Sequence, residues 1–535
     1  MHATEGVSTA LPNDAEALKR MLARSQAELL EARLMVEKLK LQILHYKRAR
    51  FGASSERLTE LAQLELLVEE LESERAAIDA DGTASVPGQS DAPEDHGGQT
   101  GSQRKRPARK PLPNHLPRET LVHQPANTER CACAGCNGAL RLLGQDIAEV
   151  LEIVPARFKV IRHVRPKYAC AKCQTIVQAA APGRPIARGL AGAGLLAHVL
   201  VSKYADHLPL YRQSEIYARD GVELERSTLA GMVGGAAALL EPLLGALERH
   251  VLAADKLHGD DTPVPVLAPG KGRTKTGRLW VYVRDERPMA GTSPPAVWFQ
   301  YSPDRRGERP QTHLKNFKGI LQADGYAGFD ALYASGRVSE AACWAHARRK
   351  YFELHQDTGS PQAQEALGRI RELYAIEKTI RGKPPDERWR VRQSQALPRL
   401  AEFKQWMDQT LGATSVKSAL ARAILYSHRR WAALTRYAGD GRIEIDNNAA
   451  EREIRAVALG RKNWLHAGSD AGGERAAAMY SLIGSAKLNG MDPQAYLHHV
   501  LERIAEHPVN RVAELLPWNV AAQIERDTAE LRLAA

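Results

Sequence analysis

The feature that most constrains this sequence is a short apolar run, Gly319–Ala323, followed at once by Asp324 and Gly325. The run predicts a short buried strand, and the glycine allows a sharp exit that leaves the acid at the edge of a sheet. In α/β folds, ligand-binding and catalytic residues commonly lie at such strand ends. An acid at a strand end is more often a turn or capping residue, so the interpretation depends on the rest of the chain.

Three further strand candidates precede this run, and the first of them also carries acids. Residues 257–267 contain Asp260 and Asp261, and two β-rich runs follow. An acid in the first strand, a three-stranded meander and a second acid on the next strand describe the ribonuclease H-like arrangement, in which both carboxylates meet. We therefore pair Asp260 with Asp324. Asp261 is the alternative, because adjacent strand residues point to opposite faces.

A third carboxylate is needed, because two cations held about 3.5–4 Å apart require acidic ligands from several directions. Glu451 is the candidate, on a predicted helix that Asp446 would cap. The alternative for Glu451 is a surface ion pair with Arg455, one helical turn later. Asp260, Asp324 and Glu451 are thus the predicted ligands of two Mg²⁺ ions.

Basic helices are predicted between the second and third acids. Cys343 begins a run in which His346, Arg349 and Lys350 recur at helical spacing. These side chains are candidates to bind phosphate or steady a leaving group, and the alternative is a solvated basic face. Residues 358–438 then predict a helical insertion between the two acids.

Cysteines are concentrated in one part of the chain. Five of the six fall between residues 131 and 173, which in a cytosolic protein favours metal over disulfides. The two Cys-x-x-Cys pairs are Cys133 with Cys136 and Cys170 with Cys173. Together they would supply four thiolates to a closed, structural Zn²⁺ site. Cys131 and His123 are alternative ligands, and buried thiols without metal are the alternative interpretation.

Heptads mark the N-terminal region. Apolar residues alternate at spacings of three and four from Leu18 to Tyr46, which predicts a coiled coil within residues 14–78. Its stripe would pack most simply on a second copy of the chain, so we expect a homo-oligomer. The alternative is an amphipathic helix docked on its own chain. Residues 79–118 are rich in Gly, Ser and Pro and then basic, which predicts a disordered linker.

Helical periodicity returns at residues 186–250. A turn at Gly221, with Ser227 or Thr228 capping the next helix, predicts a helix-turn-helix-like DNA-binding region. A helical connector would have a similar pattern. The regions predicted on either side of it are a zinc-binding β module (119–185), the first part of the catalytic core (251–357), the helical insertion (358–438), the completion of the core (439–490) and a C-terminal helical tail (491–535).

Size and charge agree with a multidomain α/β protein that binds DNA. At about 150 residues per domain, 535 residues predict three or four units. The net charge of +11 favours a polyanionic partner. No window approaches the roughly 18 uninterrupted apolar residues of a membrane span, and the first residues lack a signal-peptide pattern. We therefore expect no membrane partner and a cytoplasmic, nucleoid-associated location.

Seven motifs occur in order along the chain. They are Arg50-Phe-Gly-Ala-Ser-Ser-Glu56, Ile153-Val-Pro-Ala-Arg-Phe-Lys-Val160, Leu208-Pro-Leu-Tyr-Arg212, His258-Gly-Asp-Asp-Thr-Pro-Val264, Asp324-Gly-Tyr326, Cys343-Trp-Ala-His-Ala-Arg-Arg-Lys350 and Asp446-Asn-Asn-Ala-Ala-Glu-Arg452. In these motifs the sequence resembles the DDE transposases of the insertion sequence 66 group. Asp261 is a departure, because the family usually has glutamate there.

The resemblance implies that Asp260, Asp324 and Glu451 form the acidic triad and that the two Cys-x-x-Cys pairs bind zinc. It implies DNA strand cleavage by water and then strand transfer by a 3′-hydroxyl, with double-stranded element ends and target DNA as substrates. Small accessory proteins are further candidate partners. Two alternatives stay open, namely a zinc-containing DNA-binding regulator without catalysis and a ribonuclease H-like nuclease without joining activity.

Overall fold

The computed structural model describes residues 112–125, 139–154, 157–186, 189–268 and 273–534. All of them belong to one compact unit that begins at Arg109. The coiled coil predicted at 14–78, the linker up to residue 111, and Cys131, Cys133 and Cys136 lie outside the described residues.

Nine strands and sixteen α-helices occur among the described residues. The strands are β1 (Arg118–Val122), β2 (Leu140–Val154), β3 (Arg157–Cys170), β4 (Ile176–Gln178), β5 (Lys256–Val266), β6 (Lys275–Arg284), β7 (Ala296–Ser302), β8 (Gly319–Ala323) and β9 (Val338–Ala341). The helices are α1 (Ala193–Tyr204), α2 (Leu210–Arg219), α3 (Arg226–Leu239), α4 (Glu241–Leu252), α5 (Glu308–His313), α6 (Asp330–Ala334), α7 (Trp344–Thr358), α8 (Pro361–Ile380), α9 (Pro385–Val391), α10 (Leu397–Gly412), α11 (Ala419–Arg429), α12 (Trp431–Gly439), α13 (Asn448–Trp464), α14 (Asp470–Leu488), α15 (Pro493–Arg503) and α16 (Pro517–Ala534).

A long antiparallel hairpin dominates the first sheet. β2 and β3 pair from Leu140 opposite Cys170 to the hairpin end, while β1 and β4 both pair with β3. Buried apolar residues alternate along β3 with more exposed ones, so one face of the hairpin packs on the helical core. The Glu152 carboxylate accepts the N–H of Gly194 in the first turn of α1. An acid at a helix N-terminus is stabilising there, and it joins the hairpin to α1.

Residues 112–118, which the sequence analysis assigns to the end of a disordered linker, are ordered in the structure. Leu116 is buried, and the Arg118 guanidinium donates to the carbonyl oxygens of Leu112 and Pro113. Two leucines among prolines and basic residues are too few to form a periodic pattern, so the sequence contained no signal for this ordered segment.

Helices α1 to α4 follow the first sheet, and α2 and α3 are joined by a short turn. Gly221 has a φ of +73°, a conformation that favours glycine. The prediction that Ser227 or Thr228 caps the second helix is wrong, because α3 begins at Arg226 and Glu225 is its N-terminal flanking residue. Buried Leu224 anchors the chain just before that start.

No single helix among the described residues is long and apolar enough to cross a membrane. α3 and α4 meet the length and composition of a span only when they are taken together, as a pair bent by 52°.

The second sheet has the strand order β7-β6-β5-β8-β9. β7, β6 and β5 form an antiparallel meander, and β5, β8 and β9 are parallel. Helix α14 covers the edge strand β7, where the hydroxyl oxygens of Ser481 and Ser485 accept the N–H groups of Phe299 and Val297. The outward N–H groups of this edge strand are thus hydrogen-bonded within the chain, and α14 packs on the sheet that carries the acids.

Helices α7 to α12 contribute to a second apolar core beside the sheet. Trp344 and Phe403 stack in it with ring centroids 5.8 Å apart. Two buried arginines, Arg388 and Arg392, contact the carboxylate of Glu377 in the same region. The helical segment between the second and third acids is therefore a packed unit with a core of its own.

Candidate active site

Two of the predicted acids leave adjacent strands at the same level. β5 and β8 are parallel, and Gly259 lies opposite Ala323 as the last pair of their register. Asp260 and Asp324 are the next residues on each strand. Burial and the negative charge of Asp324 raise the pKa of Asp260 to about 7, with smaller contributions from Asp261 and Glu451. The structure therefore brings the three predicted acids into electrostatic contact.

Asp261 has a different environment. Its side chain is 1% exposed, and its carboxylate lies 3.0 Å from Nη1 of Arg278 and 2.8 Å from Nη2 of Arg305. The Arg305 guanidinium also lies 3.9 Å from the Asp324 carboxylate and 4.1 Å from the centroid of the Tyr326 ring. Both oxygens of Asp261 are thus paired with arginines, whereas Asp260 accepts only the adjacent backbone N–H among the described hydrogen bonds.

Glu451 lies in the first turn of α13, which buried polar contacts fix to β5. Asn447 is fully buried, its Oδ1 lies 3.1 Å from Nδ1 of His258, and its Nδ2 donates to the carbonyl of Gly259 at 2.9 Å. The predicted N-cap, Asp446, is one position too early: Asn447 is the flanking residue, and Asp446 accepts the N–H of Asn448 at 3.1 Å. These contacts hold the start of the helix against the strand that carries Asp260.

The segment before α13 is joined to β8 in a similar way. Gln322 is fully buried, and its amide group exchanges two hydrogen bonds with the backbone of Glu444, at 2.6 and 3.2 Å. The sequence analysis missed His258, Gln322 and Asn447. The signal was present, because each is a polar residue in or beside a run of buried apolar ones, where an amide or imidazole requires a partner.

The Glu451 carboxylate faces α7. Its Oε1 lies 3.6 Å from Nδ1 of His346. Potential ligand atoms of Cys343, His346 and Glu451 all lie within 4.8 Å of one another. Among the ion pairs of the described residues none joins Glu451 to Arg455, so the surface-pair alternative does not describe this site.

A basic cavity of about 670 Å³ lies between α7 and α8 and reaches the first residue of α13. Its lining includes Arg348, Arg349 and Arg371, as well as Asn448, the first residue of α13. Phe352 is 42% exposed there, with the Arg348 guanidinium 5.5 Å from its ring centroid. Guanidinium groups and an exposed aromatic ring are the groups that bind nucleic-acid phosphates and bases.

Cys170 and Cys173 lie on a tight turn at the end of β3. The N–H of Cys170 donates to the Thr175 carbonyl at 3.0 Å, and Gln174, with a φ of +61°, donates to the Cys170 carbonyl. The chain is described again from residue 139, and the Ala139 carbonyl accepts the N–H of Ala171. Residue 139 follows Cys136 by three positions. This end of the hairpin is therefore adjacent in sequence to the Cys133 and Cys136 pair.

His123, the alternative zinc ligand, is at another place along the hairpin. Its Nε2 lies 3.0 Å from Nδ1 of His163. Seven residues of β3 separate His163 from Cys170, roughly 20 Å along the strand. His123 and Cys170 therefore cannot share an ion in this arrangement.

The raised pKa of Asp260 gives a testable stability difference in the absence of divalent ions. The folded-state pKa of about 7 is above the ordinary value of 3.8, so stability is lost as pH rises between these values. Asp260→Asn should therefore be more stable than the wild type at pH 8, by about 1 kcal/mol or more, and should gain much less at pH 5. Urea denaturation at both pH values measures the difference.

The control is Asp304→Asn. A hydrogen bond from Arg309 lowers the pKa of Asp304 to about 2, so this variant should lose stability at pH 8 instead of gaining it. If the stability of Asp260→Asn and of the wild type depended equally on pH, the pKa of Asp260 would not be raised in the folded protein.

Comparison with known proteins agrees with this architecture. The sequence matches the Transposase IS66 family over residues 188–475, the IS66 C-terminal element over 481–518, the zinc-finger binding domain of transposase IS66 over 130–174, and the Transposase C of IS166 homeodomain over 38–121. The first match alone spans more than half of the chain.

Two full-length relatives come from Sinorhizobium fredii. The uncharacterized protein y4hP is 43% identical, over 90% of this chain and 88% of its own length. The uncharacterized protein y4jD is 38% identical, over 95% of this chain and 97% of its own length. The chain therefore belongs to the IS66 family of transposases.

Proposed function

We propose that this protein catalyses Mg²⁺-dependent DNA strand cleavage and strand transfer of an insertion sequence. Asp260, Asp324 and Glu451 would be the ligands of two Mg²⁺ ions. The observation that supports this most directly is the register of β5 and β8, which sets two acids side by side below the first turn of α13.

The strand order supports a ribonuclease H-like core. β5, β6 and β7 form an antiparallel meander, β8 pairs with β5 in parallel, and β9 pairs with β8 in parallel. The sequence predicts the meander and the neighbouring strand before Asp324, but neither β9 nor the parallel direction. The acids lie on the first and fourth strands, which are neighbours. The third acid, Glu451, lies on α13, which follows the helical insertion.

The residues present fit a pair of hard divalent cations. All three side chains offer carboxylate oxygens, the donors that Mg²⁺ prefers. Burial and the negative charge of Asp324 raise the pKa of Asp260 to about 7, and bound cations would offset the repulsion between these carboxylates. When bound, two such ions lower the pKa of an attacking oxygen and stabilise the departing one.

The chain's own residues would position the reactants. Asn447 and Gln322 hold the helix and segment that carry Glu451. Arg305, beside Asp324, could contact the phosphate that is cleaved. Water would attack the phosphodiester and free a 3′-hydroxyl, which would then attack the target phosphodiester. Both steps exchange one oxygen substituent on phosphorus for another, so no covalent bond between protein and DNA is required.

We also propose that Cys133, Cys136, Cys170 and Cys173 form a structural Zn²⁺ site. The closed turn of Cys170 and Cys173 supports this, because two thiols three positions apart on a tight turn are half of a tetrahedral site. Self-association through residues 14–78 and a DNA-binding role for α2 and α3 remain proposals of the same kind.

The experiment that tests the function uses the purified full chain, Mg²⁺ and labelled DNA from both ends of the flanking element. Cleavage at the element ends followed by joining to a target duplex is the expected result. Hydrolysis without joined products would favour a nuclease, and binding without any cleavage would favour a DNA-binding regulator.

The basic cavity gives a prediction about DNA binding. Each phosphate contact contributes about 0.9 to the slope of log affinity against log salt. The double substitution of Arg348 and Arg349 by alanine should therefore weaken binding to DNA and make that slope shallower by up to about 2. Fluorescence anisotropy between low and moderate salt measures it. Arg369→Ala is the control, since Arg369 on α8 is paired with Glu365 at 2.9 Å; an unchanged slope in the double variant would exclude these phosphate contacts.

A further inference from the structure

Two polar atoms face each other between α7 and α13 without a hydrogen bond. Nδ1 of His346 and Oε1 of Glu451 are shielded from solvent, and neither has a hydrogen-bond partner among the described residues. They lie 3.6 Å apart, which is too long for a hydrogen bond. Buried polar atoms left unsatisfied are costly, so this arrangement requires an explanation.

The separation matches two ligands of one metal ion. Nitrogen and oxygen ligands at about 2.0–2.2 Å from a tetrahedral zinc ion are roughly 3.3–3.5 Å from each other. The Sγ of Cys343 lies in the same group, within 4.8 Å of the other two ligand atoms. A thiol, an imidazole and a carboxylate thus converge from the start of α7 and the first turn of α13.

The donor set selects a particular class of ion. Mg²⁺ prefers oxygen ligands only, whereas a thiolate with an imidazole selects zinc and similar softer ions. We propose that Cys343, His346 and Glu451 form a second Zn²⁺ site, separate from the one proposed for the two Cys-x-x-Cys pairs and sharing Glu451 with the acidic site. Three protein ligands would leave one position for water.

Binding at this site has a defined proton balance. Cys343 is 3% exposed and its Sγ accepts the N–H of Asn447 at 3.2 Å. The ion forms a bond to sulfur, and the thiol proton leaves to solvent, so each Zn²⁺ bound here releases one proton from Cys343. Because Glu451 is shared, Zn²⁺ here would hold one of its oxygens away from Mg²⁺. That last consequence rests on the proposed function, whereas the site itself does not.

The test is zinc content of the full chain. Wild type, Cys343→Ser, His346→Gln and His355→Gln are dialysed against Zn²⁺ with excess Mg²⁺, and bound zinc per chain is measured by atomic emission. Cys343→Ser and His346→Gln should each bind about one zinc ion fewer than the wild type. His355→Gln, on the same helix with its Nδ1 3.3 Å from the Ser360 carbonyl, should bind as much as the wild type.

Cobalt gives a second measurement that does not depend on activity. Co²⁺ bound by a thiolate has a near-ultraviolet charge-transfer band, and this band should be weaker in Cys343→Ser than in the wild type. Circular dichroism shows whether each variant folds, and His346→Gln, at a half-buried position, tests the site if Cys343→Ser does not fold. An undiminished zinc content in His346→Gln would overturn the proposal.

The second zinc site and the proposed function would be contradicted by different results. Mg²⁺-dependent cleavage by wild type, with no difference in zinc content among the variants, would overturn the second zinc site only. A zinc difference in a protein that never cleaves element ends would overturn the proposed function only. If both hold, Zn²⁺ added to a cleavage reaction should inhibit the wild type and His355→Gln equally. It should have a smaller effect on any residual activity of His346→Gln.

Discussion

Asp324→Asn should reduce Mg²⁺-dependent cleavage of element ends by at least about 1,000-fold, which corresponds to roughly 4 kcal/mol in the activation free energy. The substitution removes a charge from the proposed metal ligands, and such ions contribute several kcal/mol of charge stabilisation. The local fold should survive, because the asparagine oxygen can still accept the N–H of Tyr326, now 3.1 Å from Asp324 Oδ1. Cleavage of labelled ends measures the loss.

A measurement of DNA binding distinguishes the loss of cleavage in Asp324→Asn from misfolding of the variant. The affinity of Asp324→Asn for element ends, measured without divalent ions, should stay close to that of the wild type. Asp330→Asn is the matched control, since Asp330 is an exposed acid at the start of α6, and it should cleave normally. Cleavage by Asp324→Asn within tenfold of the wild type would remove Asp324 from the metal site.

The strands that carry Asp260 and Asp324 were predictable because their signal is local. The predicted run Gly319–Ala323 is β8, residue for residue, and the strand predicted at 257–267 differs from β5 by one residue at each end. Apolar runs bounded by glycine and proline contain that information within a few positions. The sequence also predicted that the two strands are neighbours, because the first belongs to a three-stranded meander that leads through a helix to the second. It did not predict that they are parallel.

The contacts that position Glu451 were not predictable in the same way. Asn447 and His258 are 189 positions apart, and Gln322 and Glu444 are 122 apart. No local pattern states which polar residue will meet which. The helix starts failed for a related reason: α3 and α13 begin where buried neighbours fix the backbone, one or two residues from the side chains that capping preferences select. Tertiary contacts thus determine the polar pairs as well as the helix starts.

The packed core of the helical insertion leads to the second large effect, on stability. Arg392 is fully buried, and its Nε and Nη2 donate to the two oxygens of Glu377 at 2.8 and 2.6 Å. Its remaining N–H groups donate to the carbonyls of Tyr437, Asp440 and Ile443. All five donors of the guanidinium are therefore used, and three of their partners lie in the chain that leads to α13.

Arg392→Met should lower the free energy of unfolding by about 3–5 kcal/mol, because it leaves the buried Glu377 carboxylate without its main partner. Urea denaturation followed by tryptophan fluorescence measures this, since Trp344 and Trp431 lie in the same core. Adding Glu377→Met to Arg392→Met should recover part of the loss by removing the uncompensated charge. Arg399→Met is the control: Arg399 and Glu372 form an exposed pair, and such pairs contribute about 0–1 kcal/mol. Equal losses in Arg392→Met and Arg399→Met would show that the buried pair does not support the segment that presents Glu451.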